Sequence, residues 1–282
     1  MEPLTFLGSL LATSLLAGGI GAILGLGGGI LLVPVLTQVY GIDLHVAMGA
    51  SIISVIATSS GAAAAYLRVG LSNVRIGLFL AMATVVGAVI GAYLVGVVPE
   101  RALELILGAA LAYSAVATFQ QLGTEAPLAL PASPAAVQLA LEGTYYDSVL
   151  RRQISYRADR VWRGVGAMFG AGFLSGLLGI GSGAFKVLAM DHFMRLPMKV
   201  STATSNFMIG ITAAASASVF LRRGDIHPLV VTPVALGVLA GSYAGARVMS
   251  RLRNTSVRKL FLPVIVYLAA SMILRGVGMG RP

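Results

Sequence analysis

Lys186 is the residue best placed to do chemistry. It interrupts apolar sequence three positions after a glycine-rich stretch, Gly179, Gly181 and Gly183. A cation in such surroundings is costly and points to a functional role, although snorkelling to an interface is the other fate open to it. A glycine turn that opens a helix aims free N–H groups and the positive end of the helix dipole at whatever lies opposite, which attracts anions. Downstream, Ser201, Thr202, Thr204, Ser205 and Asn206 cluster at the start of the next apolar segment. Such groups line a hydrated path or hydrogen-bond between helices. Ser205 and Asn206 are the leading substrate-binding candidates among them. Ser182 and Lys186, one helical turn apart, also have the spacing of a Ser-Lys hydrolase dyad, but no other catalytic group accompanies them.

The same pattern occurs earlier. An offset of 154 residues pairs Gly25, Gly27 and Gly29 with Gly179, Gly181 and Gly183, then Gly70, Gly87 and Gly91 with Gly224, Gly241 and Gly245. Ser51, Thr58 and Arg68 fall on Ser205, Thr212 and Arg222 in the same register. Six glycine matches far exceed chance, so the chain contains two copies of one unit. Gly27, Gly28, Gly29 and Ser51 are the candidate binding residues of the first copy, facing Gly181, Ser182, Gly183, Lys186, Ser205 and Asn206 of the second. Gly87 and Gly91, or Gly237, Gly241 and Gly245, have the four-residue spacing of close helix packing instead.

The elements that would hold these residues are membrane helices. Of 282 residues, 57% are hydrophobic and only 11% charged, against roughly 25% charged in a soluble domain. Uncharged runs at 3–42, 46–67, 76–98, 105–119, 164–185, 200–221, 229–246 and 260–274 supply the length for a multi-span bundle. The first run is too long for a cleavable signal peptide, so it is expected to stay. There is no cysteine, which excludes disulfides and thiolate metal sites. No Asp or Glu lies deep in an apolar run, so a carboxylate relay, a carboxylate sodium site and a metal site are not expected, although His192 could titrate. The net charge of +10 resides mostly in short loops, where it reads as topology and not as nucleic-acid binding.

The 3–42 run is roughly twice what one crossing needs, and Gly27, Gly28 and Gly29 break it. It either crosses with an interruption or dips in and returns. If both glycine-rich segments re-enter, loop Lys and Arg divide 14 to 5 between the two sides, and 8 to 11 if they cross. The positive-inside tendency favours re-entrance. Three full crossings per unit then insert the second copy upside down, as in inverted-repeat transporters. The fold expected is an all-α integral membrane protein of two inverted-topology repeats, each a glycine-broken re-entrant helical hairpin plus three transmembrane helices. The first repeat takes residues 1–119 and the second 164–282. Residues 120–163 form a cytoplasmic linker or small hairpin.

The stretches GLGGGILLVPVL at 25–36, GLLGIGSGAFKVLAM at 176–190 and KVSTATSNFMIG at 199–210 resemble the paired motifs of the TauE/SafE family of sulfite exporters. The resemblance covers nearly the whole chain apart from the central loop. It implies export of sulfite, sulfoacetate or a related organosulfonate across a bacterial inner (plasma) membrane, with no cofactor. Leu188 departs from the first copy's Pro34, so the two hairpins need not be identical. The alternatives are an anion channel, an importer of another small anion, or the intramembrane hydrolase. The lipid bilayer is an implied partner, and a homo-oligomer is compatible with the sequence.

Overall fold

Long uninterrupted apolar segments leave the backbone no partner but itself, and in this sequence they form helices. The structure, a computed structural model, describes residues 3–94, 99–120, 133–147, 150–178 and 183–278. Five helices precede the central segment: α1 (Pro3–Leu24), α2 (Gly29–Gln38), α3 (Leu44–Arg68), α4 (Val74–Tyr93) and α5 (Glu100–Gln120). The centre holds a short α6 (Pro134–Gln138) and two strands, β1 (Glu142–Asp147) and β2 (Arg152–Arg157). Then follow α7 (Val161–Leu178), α8 (Gly183–Leu188) with a π-helical turn Ala189–Phe193, α9 (Met198–Arg223), α10 (Pro228–Ser250) and α11 (Asn254–Gly276). Local signals set the ends: Gly224 caps α9 in the left-handed region (φ 77), and Pro228 opens α10.

Among the described residues, six helices are long and apolar enough to cross a membrane: α1, α3, α4, α9, α10 and α11. The chain is thus a helical membrane protein.

The helices of the two copies interlock. α1 packs most extensively on α10, and α7 on α4. Small residues let these backbones meet. A Cβ on Gly241 would strike the Leu15 carbonyl and one on Gly245 the Gly19 carbonyl, while one on Gly87 would strike that of Phe169. Equivalent helices cross one another in opposite directions. Along α3 and the turn after it, Gly49 lies against Asp225, Ser59 donates to the Asn206 carbonyl at 2.5 Å and Asn73 N–H donates to Thr204 Oγ1 at 3.1 Å, so α3 and α9 are antiparallel. α5 and α11 meet likewise, with Leu105 on Gly276 and Gly108 on Ile273.

The central segment is anchored to this bundle. β1 and β2 pair antiparallel, Tyr145 opposite Ile154 and Asp147 opposite Arg152. Tyr145, Ile154 and Tyr156 are buried. Asn73, after α3, donates to the Glu142 carbonyl and to the Tyr156 hydroxyl, both at 3.1 Å. Burial pushes the Tyr156 phenol above its ordinary pKa, and the Asn73 hydrogen bond opposes that shift. The strongest tie is a buried ion pair: Lys199 Nζ, at the start of α9, lies 3.0 Å from Asp147 Oδ2, with side chains 1% and 3% exposed.

Removing one member of a buried pair strands the other charge, which costs about 3–5 kcal/mol, whereas an apolar pair of similar volume is near neutral. Lys199→Met should therefore lower the unfolding temperature in detergent sharply, and Asp147→Leu added to Lys199→Met should restore most of it. Thermal unfolding of the single and double variants checks this.

Candidate functional site

The first copy's glycine break lies against the start of α8 in the second copy. α1 stops at Leu24, and Gly25, Gly27 and Gly28 take φ values of 73, 79 and 69 before α2 starts at Gly29. Only glycine enters that region without strain. The chain then doubles back. A Cβ on Gly28 would approach Ala17 and Gly18, and the Tyr40 ring packs edge-on against Phe6 with centroids 5.7 Å apart. In the second copy, Gly181 and Ser182 lie outside the described residues, and α8 begins at Gly183. The chain returns here too, since Asp159 N–H, just before α7, donates to the Met194 carbonyl at 2.9 Å.

The start of α8 touches the first break. A Cβ on Gly183 would collide with the Gly25 carbonyl and come within 2.6 Å of Leu26 Cα. Helix α9 fastens the junction. Ser205 Oγ lies 3.0 Å from the Gly25 carbonyl and 3.3 Å from that of Gly183, positioned to donate to either. Asn206 Nδ2 donates to the Ala22 carbonyl at 2.9 Å, and the Tyr66 hydroxyl donates to the same oxygen at 2.8 Å. These are carbonyls that a helix end leaves open. Asn206 Oδ1 and Ser51 Oγ are buried with no hydrogen-bond partner in the described structure, and Ser51 lies directly beneath Gly29.

Lys186 is fully buried and its Nζ donates to Thr212 Oγ1 at 2.7 Å. An ammonium carries three donors. Around it is a small cavity of about 10 Å³, lined by Ile52, Val55, Ser175, Lys186, Ile209, Thr212, Ala213 and Ser216, about enough for one water. The lining holds one cation and three hydroxyl residues but no carboxylate. Gly27 adjoins it, since a Cβ there would meet Ile209 at 3.0 Å and Val55 at 3.5 Å.

Ser175, Thr212 and Ser216 were not among the sequence candidates. The signal was present for two of them: Thr212 and Ser216 lie seven and eleven residues after Ser205, on the same face of α9. Ser175 belongs to the other arm of the second hairpin, and nothing in sequence ties it to Lys186. His192 lies apart from the cavity, in the π-helical turn, with its Nε2 3.4 Å from the Tyr113 hydroxyl.

The family model for the sulfite exporter TauE/SafE matches residues 10–272. Two proteins of Bacillus subtilis (strain 168) are similar along most of their length. The probable membrane transporter protein YunE is 26% identical over 279 residues, covering 95% of this chain and 97% of that protein. The probable membrane transporter protein YdhB is 25% identical over 232 residues, covering 82% and 86%. No solved structure matches.

The contact between the breaks is backbone on backbone, so it has nowhere to yield. Gly183→Ala should destabilise the protein by about 1–3 kcal/mol through overpacking, and Ser205→Ala by a similar amount, because a buried carbonyl loses its donor. Gly170→Ala, where a Cβ meets nothing within 4 Å, should be neutral. Thermal unfolding of the three purified variants gives the comparison.

Proposed function

Since the chain belongs to the sulfite exporter TauE/SafE family, we propose that it exports a small sulfur-containing anion, such as sulfite, sulfoacetate or a related organosulfonate, through a central site between its two glycine-rich hairpins. That it is a membrane transporter and not an enzyme follows from the family and its relatives. The hydrolase alternative falls with that finding.

The observation that carries the proposal is Lys186: a fully buried cation beside the junction of both breaks, ringed by Ser175, Thr212 and Ser216. The two ammonium protons not given to Thr212 suit oxyanion oxygens. With one positive charge and no acidic lining residue, the site balances one negative charge. Gly27, Gly28, Gly29 and Gly183 shape the junction, Ser205 and Asn206 hold its backbone, and Ser51 supplies an uncommitted hydroxyl; Gly181 and Ser182 complete the proposed set. At about 10 Å³ the cavity is smaller than any such anion, which favours a transporter that must open over a continuously conducting pore.

The architecture proposed with it is a pair of inverted repeats, 1–119 and 164–282, joined by a cytoplasmic segment 120–163 in a bacterial plasma membrane. The antiparallel crossings of α3 with α9 and α5 with α11 support inversion. The return of Tyr40 to Phe6 and of Met194 to Asp159 supports re-entrance of both hairpins. An interior negative by about 100 mV favours anion exit by roughly 2.3 kcal/mol per charge, so no coupling ion is needed.

In proteoliposomes with a clamped potential, tested on sulfite, sulfoacetate, thiosulfate and sulfate, Lys186→Met should cut the preferred flux about 30-fold or more, as expected when a buried hydrogen-bonded charge is lost. Wild-type flux and affinity in that variant would sink the site. The absence of native cysteine makes topology directly readable. Single cysteines at Gly41 and Ile226 should react with an impermeant maleimide from one face of the membrane, and those at Arg151 and Arg251 from the other; Ile226 reacting from Arg151's face would exclude the re-entrant reading of the second hairpin.

A further inference from the structure

We propose that the recess at the entrance to α7 is a seat for the headgroup of an anionic phospholipid. The recess holds about 700 Å³, within the roughly 300–1,000 Å³ of small-ligand sites. It has two chemically distinct walls. Phe79 of α4, with Pro134 and Leu139 at the α6 segment, makes the apolar one. Arg160, Trp162 and Arg163 make the other.

Its position fits a lipid better than a soluble ligand. Phe79 lies six residues into α4, at the end of that helix which carries the β-hairpin. Its neighbours Leu78 and Met82 are exposed, as side chains facing hydrocarbon are. The recess therefore opens onto the lipid-facing surface at the depth where hydrocarbon meets headgroups. Trp162, 70% exposed, is the residue type that favours this depth.

The charge is also loosely committed. Among the described residues Arg160 has a 3.7 Å ion pair to Asp159, which it shares with Arg195 at 3.9 Å. Arg163 has no ion pair among the described residues. Two guanidinium forks beside an apolar wall match a phosphodiester whose acyl chains continue over Phe79 and along α4. Free phosphate would satisfy the arginines and leave the wall empty.

Native mass spectrometry of the delipidated full chain in detergent, titrated with phosphatidylglycerol, tests this without reference to the transported anion. Arg160→Gln with Arg163→Gln should weaken binding about 25-fold, at roughly fivefold per arginine near an anionic headgroup. Arg151→Gln with Arg251→Gln, which removes equal charge elsewhere on that side, should leave it unchanged. If the double variant does not fold, Arg163→Gln alone should show about fivefold loss. The proposal is overturned by equal loss in the control pair, by phosphatidylcholine binding as tightly, or by inorganic phosphate displacing the lipid at comparable concentration.

Discussion

Broken helix inside a membrane protein must find partners for the backbone groups the break releases, because hydrocarbon offers none. Much of the structure follows from that requirement. The end of α1 frees carbonyls at Ala22 and Gly25, and three side chains from other helices are directed at them: Tyr66 of α3, and Ser205 and Asn206 of α9. Two of the residues with the strongest claim to bind substrate by type are thus occupied in holding open the geometry that makes a site possible. The glycines complete the arrangement, since a side chain at Gly183 would push α8 away from the first break, and one at Gly25 would press on Val187 and Thr202.

This constraint explains why neither copy stands alone. The α1 break is satisfied by a helix of the second copy, and the seam of α1 with α10 is repeated by α7 with α4. Backbone approach depends on Gly237, Gly241 and Gly245 at four-residue spacing along the first seam and on Gly87 and Gly172 along the second, which contribute contact area where no hydrophobic effect drives helices together. The β-hairpin then bridges the copies at one end through Asn73 of the first and Lys199 of the second.

The sequence made legible whatever was periodic or out of place. The repeat could be read because a 154-residue offset aligns glycines, and Lys186 because a lysine in apolar sequence has few explanations. Hydroxyl residues were harder. Ser205 and Ser175 are chemically alike, yet one ties backbone and the other lines the cavity, a difference set by which neighbour each meets across the bundle. Lys199 reads as a loop cation in sequence because its partner, Asp147, is 52 residues away on a segment without membrane character.

Comparing the copies position by position shows how a symmetric frame comes to hold a single polar site. Val55 and Ile209 are equivalent, as are Thr58 and Thr212, and these pairs keep their character. The rest of the cavity does not. Lys186 corresponds to Leu32, Ser175 to Gly21 and Ser216 to Ala62. On the first copy's side the corresponding space is closed by backbone, since Gly21 and Thr58 both press against Gly28. Duplication therefore supplied the crossing and the paired breaks, while three substitutions in one copy supplied the charge and the hydroxyls. The one cation of this cavity belongs to the second copy and stands beside Gly27 of the first.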